Sequence, residues 1–350
     1  MKNQYSRLSL TKADIIHEAK RIGFDDIGFT TIVPFTSHLE ILQERHEEYH
    51  WTEGKGLQLI EGTDPQKLYE VGKSIIVLLD NYHRHSFPSS LQGKFGRCYL
   101  DDDRIKKENL SLRLKAFREY LESNHISSKV PFNMPHRLAA ARAGLGTFGK
   151  NCLFYSNKIA RGSSFVIPVA LIVSQEYEPD EPSIRIDCPS WCKNTCIIAC
   201  PTGALGGNGK IDPRKCISYI TYYTDEITPL DLRERMGMWI YGCDRCQEVC
   251  PRNQPWMAQK LPMHSIEHQA NSFELTALLH MDRKYFKKHI WPQMFYTSAD
   301  DLWRWHMNAA RVMGNSLDSS YISDLTRAYK ENKDDRVKEM CAWAIGRLGG

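Results

Sequence analysis

Eight of the chain's eleven cysteines fall between Cys188 and Cys250. The first group reads Cys188-x3-Cys192-x3-Cys196-x3-Cys200-Pro201, the second Cys243-x2-Cys246-x3-Cys250-Pro251, and Cys216 stands alone between them. Thiolates at this density bind soft metals, and each [4Fe–4S] cubane takes four of them. Eight cysteines suit two cubanes and make the chain an electron-carrying redox protein. Two-cluster ferredoxins send the last cysteine of a run across to the other cluster. On that pattern Cys188, Cys192, Cys196 and Cys250 hold one cluster, and Cys200, Cys216, Cys243 and Cys246 hold the other.

Structural zinc is the alternative, since it also accepts four-cysteine sites at short spacings. The Cys-Pro endings and the lone Cys216 favour clusters. The spacings in the first group are one residue longer than the usual cluster run, an excess that each loop can absorb. Cys98, Cys152 and Cys341 are expected to be buried apolar residues or simple thiols. No apolar run is long enough for a membrane span, and Met1 to Leu10 shows neither a signal core nor a twin arginine. The expected setting is therefore the cytoplasm, where clustered cysteines are ligands rather than disulfides.

The elements that must position these thiols follow from composition and pattern. A chain of 350 residues, 42% hydrophobic and 25% charged, has the balance of an ordinary soluble protein with room for several domains. Its net charge of +4 permits a polyanion such as RNA without requiring one. The expected fold class is α+β, in three segments: 1–181 mixed α/β, 182–255 cysteine-rich and ferredoxin-like, and 256–350 helical. Thr11 with Asp14 predicts a capped helix carrying Ile15, Ile16, Ala19 and Ile22, which Gly23 ends. Ser74–Leu79 and Phe165–Val173 read as strands, and Asn109–Leu121 as a helix. The cysteine-rich segment is too poor in apolar residues to fold without metal. In the tail, the stretches 308–315 and 336–346 have the small-apolar texture of helical repeat units.

Other signals are weaker. Gly144-x-Gly146-x-x-Gly149 matches a dinucleotide fingerprint, but a helical pattern precedes it and the next acid is Glu176. A true fingerprint follows a strand and is trailed by an acid about 20 residues on. A tight turn that brings backbone amides to a cofactor fits better. His83 and His85 could pair on a metal, although solvated loop histidines are the preferred reading. Arg283-Lys-Tyr-Phe-Lys-Lys-His289 mixes cations with aromatics as RNA-contacting surfaces do, and equally as a basic helix face over a buried aromatic stripe does. Trp303 and Trp305 are expected in the core.

Three stretches carry a family resemblance: Cys196-Ile-Ile-Ala-Cys-Pro-Thr-Gly-Ala-Leu205, Arg214-Lys-Cys-Ile-Ser-Tyr219 and Ile240-Tyr-Gly-Cys-Asp-Arg-Cys-Gln-Glu-Val-Cys-Pro251. Together they closely resemble epoxyqueuosine reductase. The likeness continues through Leu138–Asn151, Gly23–Gly28 and the tail, and so spans nearly the whole chain. It implies an iron–sulfur, cobalamin-dependent oxidoreductase, related to reductive dehalogenases, that converts epoxyqueuosine in tRNA to queuosine. It also implies a cobalamin-binding first domain, with Ser218, Cys243, Asp244 and Arg97 against the corrin, and a short HEAT-like tail used against tRNA. Electrons would come from an external low-potential donor, a ferredoxin or flavodoxin, to a protein with no membrane attachment and expected to be a monomer.

The sequence departs from the family at two places. The family's catalytic aspartate, its proton donor, falls at Val130 in Val130-Pro-Phe-Asn-Met-Pro135, and no carboxylate lies between Glu122 and Glu176. Valine cannot transfer a proton, so that role is lost or reassigned; Tyr82 is one candidate. The stretch Asp101-Asp-Asp-Arg-Ile105 replaces the family's Asp-Tyr-His. Two alternatives therefore stand beside the leading function: a paralogous corrinoid reductase acting on another small electrophile, and a non-catalytic electron-transfer protein.

Overall fold

A computed structural model of the chain describes residues 10–101, 109–158, 162–263, 265–292, 294 and 297–350. Helix α1 (Lys12–Ile22) opens on Thr11, whose side chain accepts from the Asp14 amide while the Asp14 carboxylate accepts from Thr11. This capping box satisfies donors that a helix start otherwise leaves open. Gly23, in the left-handed region, ends the helix.

The chain divides into two compact units. The first comprises Met1–Asn81, Arg104–Gly149 and Leu153–Asp187. Its elements after α1 are β1 (Asp26–Thr31), β2 (Ser74–Asn81), α2 (Asn109–Ser123), β3 (Ser128–Lys129), α3 (His136–Arg142), β4 (Gly146–Phe148), β5 (Phe154–Ser156) and β6 (Val166–Val173). Strands β1, β2, β6 and β3 form one antiparallel sheet in that order. Every residue of β2 and β6 is buried, which is why both read in the sequence as unbroken apolar runs. Ile75, Val77, Ala170 and Ile172 share a core with Ala139, Ala140 and Ala141 of α3, where the small side chains let the helix approach the sheet. The Asp80–Arg113 ion pair, at 2.7 Å, ties the end of β2 to α2.

The glycine fingerprint belongs to this packing. Its glycines follow α3 rather than a strand, and Gly146 lies in the β4–β5 hairpin. A Cβ at Gly146 would fall 2.1 Å from the Tyr155 carbonyl oxygen. The amides of Phe148 and Gly149 donate to Arg185 and Leu153 carbonyls. The motif is thus spent on the backbone of its own unit.

The second unit comprises Tyr82–Asp103, Lys150–Cys152 and Cys188–Gly350. It contains α4 (Thr195–Ile198), the hairpin of β7 (Leu205–Gly207) and β8 (Lys210–Ile211), α5 (Ile217–Tyr222) and α6 (Arg245–Glu248). Beyond these come α7 (Leu275–Leu279), α8 (Leu302–Ser316), α9 (Ile322–Glu331) and α10 (Asp335–Arg347). Leu91, Phe95 and Tyr99 join Ile240, Tyr241, Trp305 and the α8–α10 residues in one core. A segment that the sequence pattern groups with the first domain therefore supplies part of this unit, because its aromatics complete the core.

Two expectations change here. His83 is not solvated: it is buried, with its ring edge-on to Trp256 at 5.8 Å. Trp305 is core, but Trp303 is only half-buried, between the guanidinium groups of Arg304 at 4.4 Å and Arg336 at 3.4 Å. Cys341 is buried in the apolar core, as expected, and Cys98 packs partly against it. Among the described residues no helix is long and apolar enough to cross a membrane.

Gly146→Ala tests the reading of the fingerprint as packing. The added methyl has nowhere to go, so the substitution is expected to destabilise the protein by about 2 kcal/mol or more in denaturant unfolding. NADH added to the native protein is expected to give no binding signal.

Candidate cluster and cofactor site

Local geometry turns the cysteines toward one another. Asn194, in the left-handed region, opens the short helix α4, and Cys196 on its inner side is buried. Burial, together with the neighbouring thiols of Cys250, Cys188 and Cys192, pushes the Cys196 thiol up to about 11. Cys250 thus reaches back to the first group across more than fifty residues of sequence. Around the second group, burial again raises the thiols of Cys216, Cys243 and Cys246. Cys200 neighbours Cys216, and Cys216 neighbours Cys243 and Cys246. Cys246 also feels Cys196, so the two groups adjoin.

The chemistry of this donor set fits iron–sulfur clusters. Thiolates crowded in a desolvated site repel each other, and only cationic metal offsets that repulsion. Among the described residues no three Cys, His, Asp or Glu side chains converge to the spacing of a single metal ion. A cubane holds its thiolates further apart than one zinc ion does. Backbone amides supplement the iron: Lys150 donates to Cys188 Sγ and Arg245 to Cys243 Sγ, each at 3.4 Å. Such N–H···S bonds tune a cluster's potential.

Lys150 and Asn151 close the glycine-rich stretch in the sequence, and Cys152 reads there as a simple thiol. In the structure they cross into the second unit and brace it. Besides its amide bond, Lys150 sets its Nζ 2.7 Å from Asn194 Oδ1, at the start of α4. Asn151 donates to the Cys246 carbonyl at 3.3 Å. The expected approach of amides to a cofactor is thus carried by Lys150, one residue beyond the glycines. Cys152, half-buried, has a positive φ of 63°.

The four residues assigned to the corrin are brought together. Asp244 is buried, and its Oδ2 accepts from the Arg97 amide at 2.6 Å. Burial raises its carboxyl to about 7, against the lowering effect of that bond. Arg97 donates to the His85 carbonyl at 3.1 Å and lies 4.9 Å above the Phe87 ring. Ser218 neighbours both the Cys216 thiol and the Tyr99 hydroxyl, and so lies between the second cysteine group and the Arg97 segment. Gly242 precedes Cys243 with a φ of 71°, and a Cβ there would lie 2.1 Å from the Tyr99 ring. Only glycine lets the tyrosine close over this turn.

The helical tail anchors the same turn. Tyr241 stacks on Trp305 at 4.9 Å and meets Tyr99 edge-on at 5.1 Å. Arg311 is fully buried and donates to the carbonyls of Gly237 and Trp239. Burial pulls its guanidinium down to about 9, and the carbonyl dipoles hold the charge in place. Asn308 donates to the Thr221 carbonyl at 2.7 Å, and the Thr221 hydroxyl accepts from the Gly242 amide at 3.0 Å. Sequence pattern could not reveal these contacts, because nothing local marks a helix residue that serves a distant loop.

Tyr82 also finds a place. Its hydroxyl lies 3.0–3.2 Å from the Gln247 side-chain amide, one residue beyond Cys246. Val130 is half-buried at the start of a segment held by His136, whose Nε2 donates to the Pro131 carbonyl while Nδ1 accepts from Ala170. Of the stretch 101–105, residues 102–105 lie outside the described residues.

Comparison with known proteins adds the family. Residues 188–253 match the 4Fe-4S double cluster binding domain, which decides for iron over zinc. An epoxyqueuosine reductase of Bacillus anthracis is 30% identical over 97% of this chain and 89% of its own length. The chain belongs to the epoxyqueuosine reductase family. The Bacillus subtilis epoxyqueuosine reductase is 29% identical over 97% of the chain and 88% of its own. The solved epoxyqueuosine reductase of Streptococcus thermophilus superposes with a TM-score of 0.80 at 27% identity, covering 96% of this chain and 90% of that one. A second solved epoxyqueuosine reductase, with an epoxyqueuosine-modified tRNA-Tyr stem loop, gives 0.72 at 26% identity over 97% and 99%.

Two measurements probe the site. Cys188→Ser and Cys216→Ser are each expected to remove about half of the iron and sulfide after anaerobic reconstitution, and the double variant nearly all of it. Cys341→Ser should keep the full content. Arg311→Met takes the guanidinium donor from the Trp239 carbonyl, while the Gly237 carbonyl keeps its bond from Asn315. It is expected to cost about 2–4 kcal/mol in unfolding free energy and to speed loss of cluster absorbance on warming.

Proposed function

We propose that the chain is a cobalamin-dependent iron–sulfur reductase that converts epoxyqueuosine in tRNA to queuosine. The partition of the cysteines into two adjoining groups of four, in a chain of this family, carries the reading. Cys188, Cys192, Cys196 and Cys250 hold one cluster, and Cys200, Cys216, Cys243 and Cys246 the other. Electrons arrive from an external low-potential carrier, cross the two clusters and leave beside Cys243. When bound, cobalamin supplies a strongly reducing, nucleophilic cobalt centre.

The protein's own part is placement. Asp244 holds the Arg97 backbone, and with its carboxyl near 7 it can meet the amide groups of a corrin edge as donor or acceptor. Arg97 and Ser218 add a guanidinium and a hydroxyl at the same place. These polar groups fit an amide-rimmed macrocycle, which supports the assignment of Arg97, Ser218, Cys243 and Asp244 to its contacts. The helical tail, read as HEAT-like, offers the exposed Lys284, Lys287 and Lys288 to tRNA phosphates, while Phe286 and Ile290 fasten their turn to the core. On this reading the protein works in the cytoplasm as a monomer.

Val130 favours a second reading, a paralogue with another small electrophile. Turnover decides between them. Reconstituted protein with corrinoid and a chemical reductant is expected to produce queuosine from epoxyqueuosine-tRNA, and Val130→Asp to raise the rate about tenfold or more by restoring a general acid. Bound corrinoid and intact clusters with no queuosine formed would give the site to the paralogue. A chain that takes up no corrinoid would be an electron carrier only.

A further inference from the structure

The first cysteine group sits under an apolar surface that the fold does not use. Trp191, next to Cys192, is 67% exposed, and Ile198, between Cys196 and Cys200, is 78% exposed. Helix α4 turns Cys196 inward and Ile198 outward, while Ile197 covers Gly207 of the β7–β8 hairpin. Large apolar side chains this exposed, within two residues of the cysteines, mark a contact surface rather than core.

The segment that carries the first group is cationic. From Cys188 to Cys216 the chain carries Lys193, Lys210, Arg214 and Lys215 against one acid, Asp212. Asp212 is already engaged with Arg214 at 3.3 Å and Lys215 at 3.7 Å. The Lys150 ammonium on Asn194 adds a charge at the start of α4. The second group differs in sign, with Asp244 and Glu248 against Arg245 between Cys243 and Cys250.

We propose that this face is the docking surface for a small acidic electron-carrier protein, and that the cluster of Cys188, Cys192, Cys196 and Cys250 is where electrons enter. The proposal rests on the reading of the chain as an externally fed reductase and adds the surface and the chemistry of its partner. Trp191 and Ile198 form the apolar centre; the lysines steer an acidic partner to it. An interface of this kind is small and short-lived, as one-electron exchange requires.

Stopped-flow bleaching of cluster absorbance in the reconstituted holoprotein tests it, with reduced flavodoxin as one probe and dithionite as the other. Ile198→Glu and the pair Lys193→Glu, Lys210→Glu are each expected to slow reduction by flavodoxin about tenfold at low salt. The defect of the charge-reversed pair should shrink as salt rises. Reduction by dithionite should match the wild type, and Leu317→Glu, at another exposed apolar position on α8's end, should match it with both reductants. The lysine pair keeps the test open if Ile198→Glu loses iron. Wild-type rates with flavodoxin in the lysine pair overturn the proposal, as does a defect confined to tRNA binding, which would give the face to RNA. Failure to make queuosine with dithionite would sink the substrate reading alone, since cluster bleaching needs no tRNA.

Discussion

Much of the second unit answers to one electrostatic problem: eight cysteines gathered together, four of them where burial penalises the thiolate. Cys196, Cys216, Cys243 and Cys246 are all pushed away from the thiolate form by desolvation and by one another. The protein can place them there only because iron offsets the repulsion. The remaining architecture holds the ligands ready for metal. Short helical turns aim the thiols, amides of Lys150 and Arg245 point at sulfur, and the tail grips the Gly237–Gly242 turn through Arg311 and Asn308.

The same unit grades its environment from one cluster to the other. Around the first, the chain is basic, exposed and capped by Trp191 and Ile198. Around the second, it is enclosed by Tyr99, Asp244, Gln247 and the tyrosine–tryptophan stack on α8. An open, charged side suits exchange with a soluble partner, whereas an enclosed side suits chemistry that water would spoil. This grading supports the proposed entry of electrons at the first cluster.

Local rules made much of this legible. The capping box of Thr11 and Asp14, the stop at Gly23 and the apolar runs of β2 and β6 were readable because each depends on near neighbours in sequence. So was the double-cluster character of the cysteine-rich segment, which residues 188–253 match. Reading failed where distance decides. His83 looked solvated because nothing nearby announces Trp256, and Trp303 looked like core because its arginine partners include Arg336. The glycine fingerprint could be set aside as a nucleotide site because a helical pattern precedes it, but that Gly146 answers to the Tyr155 carbonyl was not readable. Arg311 carried no signal at all.

The three-part build of the second unit has a consequence for how the protein is made. Residues 82–103 and 150–152 leave the ribosome well before Cys250, and α8 leaves last of all with α9 and α10. Both proposed ligand sets are complete once Cys250 has emerged, whereas the Tyr99–Tyr241–Trp305 stack waits for Trp305. The turn that carries Cys243 is therefore braced only after the cysteines have emerged, and the early segments must wait with Leu91 and Phe95 uncovered. A chain cut short before Cys246 would lack a complete proposed ligand set for either cluster.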